Sequence, residues 1–201
     1  MSKDIFVNIG YLLLIINCIL FIKCFSTNSK TFKIFALYCF AMFSVQMISH
    51  TLVIMHMRNL FLSHFYFIFQ FILLSLFYYH LLKENFQKKI IVVSLIMCLS
   101  LLFIQYALDW NLFYKFNLLE IFITSLPLIT YATFHLYNLL NEKKEFYFIT
   151  IGLLIYLFGS TVVFLTANLL ISLHSMSAFD VINQLNVYLY IVYHIKCRHR
   201  M

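Results

Sequence analysis

Eight polar side chains interrupt stretches that are otherwise apolar: Gln46, His50, His64, Gln70, Glu120, Asn168, Asp180 and Gln184. Imidazoles and a carboxylate exchange protons, ligate metals or hold a ligand, and amides add neutral hydrogen-bonding groups. Such groups are costly in hydrocarbon and usually face a bundle interior or a wet cavity. Gln46 and His50 are four residues apart and share a helix face. Asp180 is followed by Asn183 and Gln184, three and four residues on, so these three form one stripe. These residue types in one place are the materials of a ligand site.

Several chemical templates fail on spacing. Membrane zinc hydrolases set two imidazoles on one face with HxxxH in the last span; here His194 and His199 are five apart and at or beyond its end. His50 and His56 are six apart, which separates their faces. Diiron hydroxylases need repeated histidine boxes, and none is present. Nothing supports haem ligation by His50 and His64, and a retinal protein needs a lysine in mid-span, whereas Lys196 ends the last run. No CxxC occurs among the five cysteines, which argues against a thiolate metal site or a disulfide framework. The expectation is a site with no cofactor, no metal and no catalytic residue.

The elements that position these groups are hydrophobic runs. The chain is 64% hydrophobic and 10% charged, against roughly 45–50% and about 25% for a soluble domain. That excess assigns lipid as the solvent. Seven runs have spanning length: 5–22, 32–55, 61–82, 90–107, 118–140, 146–170 and 179–195. The fold expected is all-α, one seven-helix transmembrane domain over residues 1–201, with short connections joining sequential neighbours. The first run is followed rather than preceded by Lys23 and Lys30 and has no small-x-small site, so it reads as a span and not a signal peptide. Pro127 should kink the fifth span and free the Ile123 carbonyl, with Thr124 and Thr130 nearby to re-satisfy it. Gly152 and Gly159, seven apart, share a face and admit a close neighbour.

Charge sets the orientation. Eleven of the fourteen Lys and Arg residues fall in the odd connections and the tail; Lys3, Arg58 and Lys115 fall on the other side. Positive residues stay inside, which places the amino terminus outside, the carboxy terminus in the cytoplasm and the chain in the inner membrane. The basic residues form no stripe along one face, so nucleic acid is excluded as a partner despite the net charge of +7. In this orientation the eight polar residues lie in the outer half of five helices, and Gln105, Tyr106 and Asp109 at the outer end of the fourth run bring the number to six. Apart from Asn17, the inner half carries little at comparable depth; His80, His135 and His194 sit at inner helix ends within reach of headgroups or water. The expectation is a polar cavity open to the outside. For His64, Asp109 and Asp180 a place in the interfacial layer is the competing reading. For Gln70, Asn168 and Asn183 it is an interhelical hydrogen bond.

The stretches LSHFYFIFQFILLSLFYYHLL (62–82), ITIGLLIYLFGSTVVFLTANLL (149–170) and INQLNVYLYIVYHIK (182–196) give a texture that resembles small uncharacterised seven-helix bacterial membrane proteins. It is also similar to the membrane-embedded sensory half of some bacterial histidine kinases. In such kinases the last helix continues into a cytoplasmic signalling domain. Here the sequence stops at Met201, so the resemblance implies signalling through a cytoplasmic or membrane partner protein. The leading expectation is a non-enzymatic, sensor-like or ligand-binding module embedded in the lipid bilayer. The alternatives are a metal-dependent enzyme acting on lipid or isoprenoid, with His50, His64 and Glu120 as ligands or acid/base groups, and a structural membrane subunit.

Overall fold

The computed structural model describes residues 2–23, 25, 29–141, 144–172 and 176–198, with side chains over 9–23, 25, 29–141, 144–169 and 184–196. Among them are seven α-helices: α1 (Ser2–Lys23), α2 (Lys30–Ile54), α3 (Phe61–Leu81), α4 (Asn85–Leu108), α5 (Leu118–Asn138), α6 (Tyr147–Ser172) and α7 (Met176–Arg198). A 3₁₀ turn, Trp110–Tyr114, joins α4 to α5. The described residues are all-α, and among them five helices, α2 to α6, are long and apolar enough to cross a membrane. A helix of more than 20 residues rises about 30 Å, the thickness of the hydrocarbon layer.

Six helices close into a ring in the order α1, α2, α3, α5, α6, α7, with α7 returning to α1. The fourth helix stands outside the ring, in the groove between α3 and α5. Its composition explains the position. Gln87, Ile91, Ser94, Cys98, Leu102 and Gln105 recur at intervals of three and four and form one narrow stripe. The rest of its surface, including Val93, Ile96, Met97, Phe103 and Leu108, is exposed and apolar. Polar bonds fasten the stripe to α5. Gln87 and Asn138 exchange amide hydrogen bonds at one end (3.2 and 2.8 Å), Gln105 and Asn117 do so at the other (3.3 and 3.2 Å), and Ser94 bonds the Tyr131 hydroxyl between them.

Aromatic rings fill the middle of the ring of helices. Phe35 lies 5.3 Å from Phe77, Phe77 lies 5.4 Å from Phe146, and Tyr156 stacks on Tyr193 at 5.3 Å. Each such pair adds about 0.5–1.5 kcal/mol beyond the area it buries. Gly152 and Gly159 both face α7. A Cβ on Gly159 would stand 2.7 Å from Leu189 Cδ1, and one on Gly152 would stand 3.0 Å from Lys196 Cβ. Their missing side chains are what let α6 and α7 approach.

Two sequence expectations are corrected here. Thr124 and Thr130 do not cover the Ile123 carbonyl: Thr124 donates to Glu120 O and Ile121 O, and Thr130 to Leu126 O. A helical hydroxyl reaches back three or four residues on its own face, and Ile123 is one residue behind Thr124. His135 and His194 do not reach out to an interface. Both are buried; His135 bonds Thr150 Oγ1 (2.8 Å), and Asn17 Nδ2 bonds both Nδ1 and the carbonyl of His194 (3.1 and 3.0 Å). Position along the sequence gives depth, whereas the helix face decides burial. The end of the bundle holding the α3–α4 and α5–α6 turns therefore contains its own polar contacts.

Candidate functional site

The opposite end, where α2 meets α3 and α4 meets α5, holds two separate polar regions. The first begins with the start of α5. Asn117 caps that helix: its side-chain oxygen accepts the Glu120 backbone N–H at 3.3 Å. Asn117 and Glu120 are spaced as in a capping box, where the acidic side chain normally folds back on the cap. Here Glu120 instead projects to α3 and α4. Its Oε2 lies 2.5 Å from His64 Nδ1 and 2.9 Å from the Tyr106 hydroxyl. That hydroxyl is also 2.8 Å from His64 Nδ1 and accepts from Asn117 Nδ2 at 3.3 Å.

One proton arrangement gives both contacts to Glu120 Oε2 a donor, and the short Tyr106–His64 approach is that of two groups donating to the same oxygen. His64 Nδ1–H and the Tyr106 O–H both donate to Glu120 Oε2, and Asn117 donates to the Tyr106 oxygen. The carboxylate then fixes the imidazole tautomer and leaves Nε2 free. Among the described residues, His64 Nε2 and Glu120 Oε1 are buried with no hydrogen-bond partner. The α5 amino terminus adds a favourable dipole for the carboxylate. The 3₁₀ turn covers the pair: Phe113 stacks on the His64 ring at 5.3 Å and Trp110 stacks on Phe113 at 5.7 Å.

The second region lies on the other side of α3. A cleft of about 250 Å³ opens among α2, α3, α6 and α7, with Gln46, Ser49, Asn59, Ser63, Tyr66, Tyr156 and Asn186 as its polar lining. A smaller cavity of about 150 Å³ adjoins it toward α1 and shares Gln46, Tyr156 and Asn186 as walls. Asn59 donates to Ser49 at 2.8 Å, and the Tyr66 and Tyr156 hydroxyls meet at 2.9 Å. Among the described residues, Asn186 Oδ1 has no partner. Among the described residues, none that lines the cleft carries a charge.

The eight residues singled out from sequence are thus not brought into one cavity. His64 and Glu120 meet. Gln46 joins the cleft. His50 packs its ring 5.2 Å from Tyr11 on α1, and α2 has no contact with α5, so His50 stands apart from the pair. Gln70 is buried, with Nε2 unpartnered among the described residues. Asn168 is exposed on α6, Gln184 is half-buried on α7, and the Asp180 side chain lies outside the described residues. Among the described residues no three His, Cys, Asp or Glu side chains gather as a metal site. Sequence reasoning missed Tyr106, Asn117, Tyr156 and Asn186 as site residues. The Asn-x-x-Glu spacing was a readable signal for Asn117; a tyrosine in an apolar helix reads as a headgroup anchor, which hid the other contacts. Comparison with protein-family models, curated proteins and solved structures finds no match.

Proposed function

We propose that this chain is a non-enzymatic, sensor-like inner-membrane protein that holds a small uncharged ligand in the cleft around Gln46, Tyr156 and Asn186. Seven spans, with the amino terminus outside and the carboxy terminus cytoplasmic, are part of the proposal. The positive residues of the odd connections support that orientation. With it, the cleft opens to the outside. Ligand binding changes the packing of α6 and α7 against the ring, and the basic inner face passes the change to a partner protein. The resemblance of stretches 62–82, 149–170 and 182–196 to kinase sensory regions supports the same role.

The carrying observation is the chemistry of the cleft. Amides and hydroxyls converge beside Val45, Leu62, Phe67 and Phe164, with no charge among the described lining residues to balance an ionic ligand. Apolar walls with a few placed polar groups are the usual form of a small-molecule site. A hydroxyl, keto or amide compound with an apolar portion fits; an ion does not. Thermal unfolding of the purified chain in nanodiscs with dodecanol, dodecanoate or dodecyltrimethylammonium tests this. Dodecanol alone should stabilise the wild type, and the effect should be lost in Gln46→Leu/Asn186→Leu. Equal stabilisation of that variant, or a preference for a charged headgroup, rejects the cleft as the site.

A further inference from the structure

We infer that the occupant of the cleft is an alcohol, held with its hydroxyl in the smaller cavity toward α1 and its apolar portion in the larger cleft. This rests on the cleft being the ligand site. It adds which headgroup the site selects and which way round the molecule lies.

The two spaces differ in their walls. Val45, Leu62, Phe67 and Phe164 line the larger cleft and are absent from the smaller cavity. Around the smaller cavity, Gly10 and Val187 are the apolar members among the described residues, and the rest are Tyr11, Gln46, Tyr156, Asn186 and Tyr190. Asn59 and Leu60, from the α2–α3 connection, line the larger cleft alone. The smaller cavity therefore lies on the side away from that connection, and Asn186 and Tyr190 stand in the middle turns of α7. An amphipathic occupant places its polar end there and its apolar end among the leucine, valine and phenylalanine walls.

The hydrogen-bonding inventory selects the headgroup. Among the described residues, two buried polar atoms of the smaller cavity's lining residues have no partner. One is Asn186 Oδ1, which only accepts; the other is the Tyr190 hydroxyl, which can donate. The Tyr66 and Tyr156 hydroxyls lie 2.9 Å apart. One of them donates to the other, so one phenolic O–H is left over whichever way round they stand. The walls thus offer two O–H donors and one lone acceptor. Gln46 and Tyr11 each donate and accept, and leave that balance unchanged.

An aliphatic hydroxyl is the complement of this set: its oxygen accepts two hydrogen bonds and its one proton is donated. A ketone, ester or ether can accept both donors but strands Asn186 Oδ1, and a buried acceptor left unmet is costly. Water has a second proton with no acceptor in this set, and no apolar portion to cover the walls of the larger cleft. A carboxylate or ammonium brings a charge that no described lining residue balances.

Tyr190 is held in place before any ligand arrives. A Cβ on Gly10 would stand 3.2 Å from its Cδ1, and the His194 ring packs edge-on against it at 4.3 Å. Asn17 in turn bonds His194 at Nδ1 and at the carbonyl. A donor fixed in this way loses little freedom on binding.

The test is thermal unfolding of the full chain in nanodiscs, titrated with 1-dodecanol, 2-dodecanone and 1-methoxyundecane, which match in size and differ in the headgroup. For the wild type, half-maximal stabilisation should need at least about tenfold less dodecanol than ketone or ether, the effect of one stranded acceptor. Asn186→Leu should bring alcohol and ketone together, because the atom that tells them apart is gone. Tyr190→Phe should weaken both and keep their order, because both accept from that hydroxyl. Equal potency of the three compounds in the wild type, with all three effects lost in Gln46→Leu/Asn186→Leu, overturns the headgroup assignment and leaves the cleft standing. No stabilisation of the wild type by any of them overturns the cleft, and this assignment with it. An unchanged gap between alcohol and ketone in folded Asn186→Leu also overturns the assignment; if that variant does not fold, the wild-type order decides.

Discussion

Glu120 on α5 reaches across to His64 on α3 at 2.5 Å, and both side chains are sealed from solvent. Removing one member of such a pair leaves the other stranded. Glu120→Ala is expected to destabilise the bundle by about 3–5 kcal/mol. The double variant His64→Leu/Glu120→Leu should cost less than the two single changes added together, because neither stranded group remains. Reversible unfolding in mixed detergent micelles measures Glu120→Ala and the three variants of the cycle, His64→Leu, Glu120→Leu and the double. Additive losses would mean that the two side chains do not interact.

Asn117 has three tasks: it caps α5, exchanges amide bonds with Gln105 and donates to Tyr106. Asn117→Ala should cost about 2 kcal/mol, the upper range for a lost cap, with further loss from the stranded Gln105 amide. The effect should be local to α4 and the first turn of α5. Helix α4 is outside the ring and hangs on its polar stripe, so hydrogen exchange should speed up in its 98–108 half and change little in α6 and α7. Uniform acceleration would contradict the peripheral placement of α4.

How much of this was legible in the residues differs between fold and site. Hydrophobic runs marked all seven helices, since lipid leaves the backbone few alternatives. Their ends were less visible. The fourth run was read from residue 90, yet α4 starts at Asn85, because Gln87 and its neighbours continue the helix beyond the apolar stretch. The 3₁₀ turn went unread: WNLFY has no periodicity of its own and takes its shape from Asp109 capping and from stacking on His64. For the site, residue type pointed to His64 and Glu120, and the topology brought them together. Grouping His50 with them failed for a geometric reason. Gln46 and His50 share a face of α2 only approximately, and that helix lies between α1 and α3, so a small rotation sends Gln46 to the cleft and His50 to Tyr11.

The end of α2 is a further test of local physics. His56 has φ 55°, the left-handed region, and the Met57 N–H reaches back to Leu52 O at 2.9 Å. This is the helix-terminating geometry that glycine adopts without a Cβ clash. His56 is exposed, so little packing is lost on substitution. His56→Gly should stabilise the protein by about 1 kcal/mol. Phe146 also has a positive φ, 53°, but its ring packs 5.4 Å from Phe77. Phe146→Gly should therefore destabilise, as lost packing outweighs relieved strain. A gain in thermal stability for Phe146→Gly, or a loss for His56→Gly, would contradict this reading.

The central claim is that the cleft faces the outside of the cell and is open to small molecules. Labelling by a membrane-impermeant maleimide in intact cells tests it most directly, with Asn59→Cys and Lys89→Cys placed in a chain whose five native cysteines are replaced. Asn59 lines the cleft, whereas Lys89 lies in the first turns of α4 at the other end of the bundle. The expected result is rapid labelling at position 59, slowed by dodecanol, and labelling at position 89 only after the membrane is permeabilised. Labelling of position 89 in intact cells with position 59 silent would contradict the account.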